Sequence, residues 1–316
     1  MTSRLLAWTG LVAVLLVSAC GQQASAPGDP SPSGRPAPGT SDVARPDLVP
    51  DEHPGPFEAT GFVLQDESHG PQLCVGGIAM SLPPQCGGPD LMGWDFASLP
   101  AGSYESVLQS RYGSFVITGT PQGDAIRLTA PARPASPADL EDQTRGPEPS
   151  FTSPCPEPVG GWQPLDPART TEEALQAASV RAEAVSGYGL LWIDQPTVTP
   201  EELGAGSETA NDPLRYVLNV STTGDLAEME SAVRAVWGGA LCVSAAAHSA
   251  AELTSVRDAL DGPEALLPLL DLQLDQLAGQ VTATALLARE GDQRRLDEQY
   301  GAGVVRLGSV LRLPTG

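Results

Sequence analysis

Five cysteines constrain this chain of 316 residues more than any other feature, and the first of them, Cys20, has a distinctive position. It follows a segment with one basic residue, Arg4, and a largely apolar run over residues 5–17. A basic start, an apolar run of about a dozen residues and small residues before a cut site are typical of a signal peptide. The run is shorter than the roughly 20 residues that span a bilayer. We therefore predict a signal peptide over residues 1–19 and export of the rest.

The residues that end at Cys20 favour one kind of exported protein. The tetrapeptide Val-Ser-Ala-Cys at positions 17–20 closely resembles the lipobox of bacterial lipoproteins. That resemblance implies cleavage directly before Cys20 and acylation of its thiol by a fatty acid such as palmitate. The alternative is an ordinary secretory signal beside an incidental cysteine. We expect the acylated protein, anchored through Cys20 at the extracytoplasmic face of the cell membrane.

The other four cysteines are Cys74, Cys86, Cys155 and Cys242, an even number in an exported chain. Two disulfide bonds explain such a set best, each contributing about 2–4 kcal/mol to stability. Three pairings are possible, and we favour Cys74–Cys86, which lie close in the chain, with Cys155–Cys242. A zinc site is the competing interpretation. The sequence has no Cys-x-x-Cys pair and no nearby histidine pair, so we expect no metal.

The charge balance limits the classes of partner. Acidic residues outnumber basic ones by 39 to 17, which gives a formal charge of −22, and the excess is spread along the chain. A surface this acidic repels nucleic-acid phosphates and anionic lipid head groups, so we expect no nucleic-acid partner. The bias towards Ala, Gly, Pro and Arg, together with the absence of Lys, is typical of a GC-rich genome such as that of an actinobacterium.

Two segments have too few large apolar side chains to form a core. Residues 20–56 are rich in Gln, Ser, Pro, Gly, Ala and Asp, and we predict a disordered tether there. His53 lies near its end among acidic residues, where solvated charges are the expected state and a metal site is the alternative. Residues 132–150 are rich in Pro, Ala, Asp and Glu and form a predicted linker. The segments between and after them are predicted domains, at 57–131 and 151–316.

The first predicted domain consists of short strands. Residues 57–64, 72–75, 113–120 and 125–129 have strand patterns, and Pro121 with Gly123 supplies turn chemistry for a hairpin between the last two. No helix is predicted. Several short strands in about 75 residues favour a small, partly open β-barrel of the OB type. Such barrels bind oligonucleotides, but this one lacks the basic groove that such binding needs.

The segment from Cys74 to Trp94 is the most distinctive candidate for a binding surface. A disulfide would close residues 74–86 into a stiff loop, and Trp94 and Phe96 follow it. Trp94, Phe96 and the loop are therefore a candidate recognition surface. The alternative is that both aromatic side chains fill the interior of the barrel. The segment resembles part of certain actinobacterial secreted proteins, and that resemblance implies no activity.

The second predicted domain is α+β. Helices are predicted near residues 171–187, 225–237, 249–260 and 291–300, with strands at 189–194, 215–221, 240–244, 270–275, 281–288 and 304–313. Two strand–strand–helix–strand runs follow one another, and their helices end in Trp237-Gly238 and Tyr300-Gly301. We interpret them as a duplicated ββαβ unit.

Part of this domain resembles the pro-regions of secreted bacterial chymotrypsin-like proteases, namely the alpha-lytic protease and streptogrisin precursors. The resemblance rests on Asp194, a strand at 216–220, the helix that starts at Asp225, the stretch from His248 to Leu253, and Asp275. It implies binding to a secreted protease, as a folding chaperone or inhibitor. The chain departs from those precursors because no protease domain follows the repeat.

No catalytic or cofactor motif is present. The three histidines, His53, His69 and His248, lie in separate segments, and there is no Gly-x-Ser-x-Gly elbow. The absence of Lys excludes a lysine nucleophile and a P-loop. Three carboxylates near the C-terminus could gather, but alternating Asp residues on a strand are typical of its solvated face; these are Asp271, Asp275 and Asp292. We expect no cofactor.

These features favour a non-enzymatic binding module for another envelope or secreted protein, chaperone-like or inhibitory in its most specific form. One alternative is a binder of a small ligand or cell-wall component, with the first domain as the reader. A hydrolase with unrecognised carboxylates is the third.

Overall fold

Helices and strands alternate along the part of the chain that the computed structural model describes, which is residues 48–79, 81–144, 150–204, 208–263 and 265–314. Cys20, the predicted signal peptide and most of the predicted tether lie outside these residues. Within them the chain has six α-helices and three mostly antiparallel sheets, in agreement with the predicted mixture of helices and strands. The helices are α1 Pro137–Thr144, α2 Glu172–Glu183, α3 Pro200–Gly204, α4 Leu226–Arg234, α5 Ala250–Leu260 and α6 Glu290–Tyr300.

The first sheet is built around one long antiparallel pair. Its strands are β1 Phe57–Gln65, β2 Gln72–Leu73, β3 Leu91–Met92, β4 Glu105–Val107, β5 Ser110–Gln122, β6 Ala125–Leu128 and β7 Arg133–Pro134. All nine residues of β1 pair with β5, and the predicted hairpin joins β5 to β6. The hydrogen-bonded order is β2-β1-β5-β6-β3, while β4 and β7 also pair with β5.

This sheet corrects one prediction. The order starts and ends with two-residue strands, and a single isolated bridge, Gln72 to Asp90, lies between those two ends. Strands this short offer too few ladder hydrogen bonds to close a barrel. The described sheet is therefore not closed, and an OB-like barrel is not shown.

The core beneath the first sheet draws on distant parts of the chain. Buried side chains of its long strands, such as Val63 and Ile117, cluster with Val49, Leu286 and Leu311. The last three lie outside residues 57–131, to which sequence patterns assigned the first domain. The described residues belong to one compact unit, and this shared cluster is one reason.

The other two sheets have three strands each and the same topology. Their strands are β8 Tyr188–Asp194, β9 Val217–Thr222 and β10 Ala240–Ala245, then β11 Asp271–Asp275, β12 Gln280–Ala285 and β13 Val305–Ser309. In each sheet the first two strands are antiparallel and the last two are parallel. A parallel pair needs a crossover connection, which α4 supplies in one sheet and α6 in the other.

Helix α4 shows how local sequence determines this packing. The Asp225 carboxylate accepts a 2.9 Å hydrogen bond from the Glu228 N–H and so caps the first turn. Met229, Val233 and Trp237 follow at intervals of four, which places them on one side, and all three are buried. They pack with Leu218 and Val220 of β9. Helix α5 is likewise capped at its first turn, by the Ser249–Glu252 capping box.

Two disulfides join the four described cysteines in the pairing that we favoured. Cys74 and Cys86 close a loop beside β2, with Cα atoms 5.6 Å apart. Cys155 and Cys242 join the segment before α2 to β10, with Cα atoms 5.8 Å apart. The second bridge holds residues 150–155 against the outer face of the β8–β10 sheet.

Two segments that the sequence assigned to spacers are packed in the structure. Residues 48–56, at the end of the predicted tether, lie against the start of α6: Val49 is fully buried and its N–H donates to the Ala288 carbonyl at 3.0 Å. The predicted linker contains β7, which pairs with β5, and helix α1. Low apolar content hid both segments, although Leu48 and Val49 of the first segment are buried in core clusters.

Candidate functional site

A cleft of about 480 Å³ opens beside β1, and we call it the β1 cleft. Most of its lining comes from β1, the start of the disulfide-closed loop, α1 and the C-terminal residues after β13. Single residues of other strands complete it, namely Leu73, Ser114, Asp271, Thr284 and Ser309. The cleft lies along the edge of β1 that does not pair with β5. Near one end of that edge the N–H of Glu58 and the N–H of Arg312 each donate to the other's carbonyl at 2.8 Å.

The disulfide loop covers the other end of the same edge. The Cys74 N–H donates to the Phe62 carbonyl at 2.8 Å, and the loop then turns away from β1. Gly76 makes that turn with φ of 78°, a conformation that favours glycine, and a Cβ there would lie 3.5 Å from the Asp271 carboxylate. The Ala79 N–H donates to the Gln85 carbonyl at 2.8 Å, which holds the two halves of the loop together. The disulfide and these hydrogen bonds hold the loop beside β1 as one wall of the cleft.

Helix α1 forms another wall of the cleft, and the Asp139 carboxylate holds it in place. Arg133 donates two hydrogen bonds of 2.8 Å to the two Asp139 oxygens, and the Ser136 N–H donates to the same group at 2.7 Å. These donors, Arg133 above all, hold the pKa of the Asp139 carboxyl well below its usual range. Leu140 follows directly and remains 38% exposed over the cleft.

The lining of the β1 cleft combines carboxylates with exposed apolar side chains. Three carboxylates line the cleft, at Glu58, Asp139 and Asp271, together with one cation, Arg312. Because Arg133 pairs with Asp139 from beside the lining, the balance of these five charges is one negative charge. Three apolar side chains are partly exposed around them: Ile78, Leu140 and Leu313. Exposed apolar groups inside a concave site with a few polar groups are typical of a binding site. The cleft is suited to an extended segment that carries both apolar and basic side chains.

The aromatic pair that the sequence offered as a candidate binding surface is mainly core. Phe96 is only 2% exposed, and its ring centroid lies 5.3 Å from that of Trp94 and 4.9 Å from that of Tyr104. Trp94 is half-buried and lies 5.0 Å from Phe115. Neither Trp94 nor Phe96 lines the β1 cleft. Phe96 therefore fits the alternative interpretation, in which the rings fill the interior of the first sheet. A side chain this buried is not accessible to a partner.

The residues considered for catalysis or metal binding lie apart in the structure. The His53 Nδ1 accepts a 3.1 Å hydrogen bond from the Gly55 N–H, and His69 lies 3.5 Å from Asp66. The Asp275 carboxylate caps the turn after β11. The Asp292 carboxylate accepts a 2.9 Å hydrogen bond from the Arg289 N–H at the start of α6. Within the described ranges no group of three or more His, Cys, Asp or Glu residues is placed to hold a metal ion. These positions carry structural roles.

Sequence patterns missed the α1 wall of the cleft. Ser136-Pro-Ala-Asp139 is a capping signature, and the structure shows both of its hydrogen bonds, Ser136 N–H to Asp139 and Asp139 N–H to the Ser136 hydroxyl at 3.3 Å. That signature could have predicted a helix in the supposed linker. Nothing in the sequence placed this helix beside β1.

Neither of two comparisons with known proteins assigns a function to this chain. No protein-family model matches the chain, and no curated protein matches it significantly. In the part of the chain covered by the structure, no helix is long and apolar enough to cross a membrane.

Proposed function

We propose that this protein is a lipid-anchored, extracytoplasmic binding module that holds an extended segment of another envelope or secreted protein in the β1 cleft. The observation that carries the proposal is the cleft's construction. A disulfide-closed loop, a salt-bridged helix, a strand edge and the C-terminal residues surround exposed apolar side chains. Preorganised walls reduce the ordering cost of binding, and apolar side chains left exposed in a folded protein favour burial by a partner.

The charge of the lining indicates what the bound segment carries. Glu58 and Asp271 face the cleft, and the whole chain has a formal charge of −22. Opposite charge speeds encounter and fixes the register of a partner. The proposed occupant is therefore an extended segment with apolar side chains for the cleft and at least one Arg or Lys for Glu58 or Asp271.

The proposed cellular location depends on two parts of the chain. Two disulfides are consistent with an oxidising, extracytoplasmic compartment. The anchor, Cys20, lies outside the described residues. Labelling cells with a palmitate analogue tests it: the wild-type protein should incorporate label and a Cys20→Ala variant should not. An unlabelled wild-type protein would reduce the anchor to a plain signal peptide.

The duplicated ββαβ unit indicates which class of partner to test first. We infer that the β8–β10 and β11–β13 sheets arose by duplication of one ββαβ unit, because they share element order and strand directions. Together with the resemblance to protease pro-regions, this favours a secreted chymotrypsin-like protease as partner. Full-length protein should slow peptide hydrolysis by such a protease from the same organism or speed its refolding. If both rates are unchanged, the chaperone-like and inhibitory roles are wrong.

A single-lysine design tests the cleft directly. The chain contains no Lys, so an introduced lysine is the only side-chain amine available to a cross-linker. Leu140→Lys places that amine at the cleft while its methylene stem keeps an apolar contact there. Val180→Lys, at a side chain 68% exposed on α2, is the matched control. We expect a specific cross-linked protein in intact cells from position 140 and none from position 180. Equal yields from both positions would exclude the β1 cleft as the binding site.

A further inference from the structure

A second cleft, of about 400 Å³, opens on the outer face of the β8–β10 sheet, and we call it the Trp192 cleft. Strands β8, β9 and β10 supply its floor. The segment at residues 150–154, the start of α5 and the turn between β11 and β12 surround that floor. The Cys155–Cys242 disulfide lies next to this wall, so the segment at 150–154 is covalently held near the sheet.

The lining of the Trp192 cleft carries no fixed charge. The chain has 39 acidic and 17 basic residues, yet none of the described residues around this cleft is Asp, Glu or Arg, and His248 is its one titratable side chain. A cleft without an opposite charge gives an ionic ligand nothing to offset its loss of hydration. The lining therefore favours a neutral ligand.

Hydroxyl groups of two neighbouring strands lie side by side in this cleft. Ser221 of β9 and Ser244 of β10 are partners in the parallel register, and both line the cleft. The Ser221 hydroxyl oxygen accepts a 3.0 Å hydrogen bond from the Leu190 N–H. The same hydroxyl donates to the Leu190 carbonyl at 3.5 Å, which leaves its oxygen a second lone pair to accept from a ligand. The Ser244 hydroxyl can both donate and accept. Together they suit a ligand that carries hydroxyl groups of its own.

Trp192 provides a flat apolar surface beside these hydroxyls. Its indole Nε1 donates a 3.0 Å hydrogen bond to the Phe151 carbonyl, which fixes the plane of the ring, and the side chain remains partly exposed. The face of an indole is negative at its centre and attracts the slightly positive C–H groups of an apolar ring face. Sugar rings present such a face, with hydroxyl groups around its edge.

A buried acceptor near this floor lacks a partner. Asn219 pairs with Trp192 across β8 and β9, shares its side of β9 with Ser221 and is fully buried. Its Nδ2 donates to the Val217 carbonyl at 2.9 Å, while its Oδ1 has no hydrogen-bond partner among the described residues. An unpaired buried acceptor is unfavourable and is satisfied by a donor such as a hydroxyl group or a bridging water.

We propose that the Trp192 cleft binds a neutral saccharide, with a sugar ring stacked on Trp192 and its hydroxyls bonded to Ser221, Ser244 and His248. Asn219 lies beneath the floor and does not line the cleft, so a bridging water, not the ligand, is the donor that its Oδ1 requires. This site is separate from the β1 cleft and does not depend on the function proposed for it.

The test is a titration of the full-length protein with neutral trisaccharides of glucose, mannose and N-acetylglucosamine, followed by calorimetry. We expect saturable binding of at least one of them. Trp192→Ala should weaken that binding about tenfold or more, because it removes the stacking surface. Ser244→Ala should weaken it about threefold or more by removing one hydrogen bond. Ser231→Ala, at an exposed serine of α4, should leave the affinity unchanged.

Three results would overturn the proposal. One is the absence of saturable binding of all three trisaccharides up to about 10 mM, a concentration that detects even millimolar affinity. Another is equal affinity for an acidic trisaccharide of galacturonic acid. The last is wild-type affinity in both Trp192→Ala and Ser244→Ala, with unchanged circular dichroism. Trp192→Ala should keep the cross-link at position 140, so failure here is distinct from failure at the β1 cleft.

Discussion

The carboxylate of Asp51 accepts a 2.7 Å hydrogen bond from the backbone N–H of Gly291, 240 positions further along the chain. Arg294 donates to the same carboxylate. The Arg289 guanidinium donates to the Pro50 and Asp51 carbonyls at 2.9 and 2.8 Å. The first described residues are thus fastened to the first turn of α6, where an acidic side chain also complements the helix dipole.

Asp51→Ala should release this attachment and lower the melting temperature. The Gly291 N–H bond and the Arg294 ion pair hold the pKa of the Asp51 carboxyl below its ordinary value of 3.8. A group with a lowered folded-state pKa stabilises the fold above its ordinary pKa and loses that effect as pH falls. The difference in melting temperature between wild type and Asp51→Ala should be full at pH 7, begin to shrink as the pH approaches 3.8, and vanish only below the lowered folded-state pKa.

Asp124→Ala, at an exposed turn between β5 and β6, is the control for that series. Its melting temperature should follow the wild type at every pH. A pH-independent difference for Asp51→Ala would mean that the carboxylate does not act through its charge.

Phe96→Ala should destabilise the fold by about 3–5 kcal/mol, because it leaves a cavity in the aromatic cluster. Phe151→Ala removes the same atoms from a side chain that is 52% exposed and should cost less than about 1 kcal/mol. Denaturant unfolding of the two variants measures the difference. Similar losses would contradict the assignment of Phe96 to the core.

The two disulfides should differ in their contribution to stability. Cys155 and Cys242 are 87 residues apart, whereas Cys74 and Cys86 are 12 apart. Loop-closure entropy then predicts losses of about 4–5 kcal/mol for Cys155→Ala with Cys242→Ala and about 3 kcal/mol for Cys74→Ala with Cys86→Ala. Denaturant unfolding under oxidising conditions compares the two double variants. The reverse order would show that the shorter loop carries native contacts of greater weight.

Arg133→Gln should loosen α1 without unfolding the protein. Loss of the paired hydrogen bonds to Asp139 leaves the helix held mainly by its own capping residues. Hydrogen exchange should therefore quicken for residues 137–144 and stay unchanged in β5. Arg127→Gln, at an exposed guanidinium of β6 that donates to Gln122, is the matched control. Unchanged exchange in α1 would mean that the ion pair does not position this wall of the cleft.

Local signals predicted the second half of the fold well. Caps at Asp225 and Ser249, and glycines after Trp237 and Tyr300, gave the helices close to their observed bounds. Alternating apolar residues predicted strands of the two small sheets. These patterns work because a helix or strand that packs one face against a core must repeat its apolar residues at a fixed period.

The binding clefts could not be predicted in the same way. Ile78, Leu140 and Leu313 line the same β1 cleft. Tertiary packing brings these three residues together, and no local sequence pattern indicates it. The Trp192 cleft depends on a strand register that sets Ser221 beside Ser244. The sequence also left open whether Phe96 lies on a binding surface or in the core, and the structure buries it. An aromatic residue in a glycine-rich segment carries no local pattern that separates these two alternatives.

The charge dependence of the cross-link at position 140 tests the central claim most directly. Asp271→Arg reverses a charge in the β1 cleft, and Asp124→Arg makes the same change in net charge at a distant turn. In the Leu140→Lys background, Asp271→Arg should reduce the yield of the cross-linked partner about tenfold or more, while Asp124→Arg should preserve it. An equal yield in both variants would contradict recognition of a basic segment by the β1 cleft.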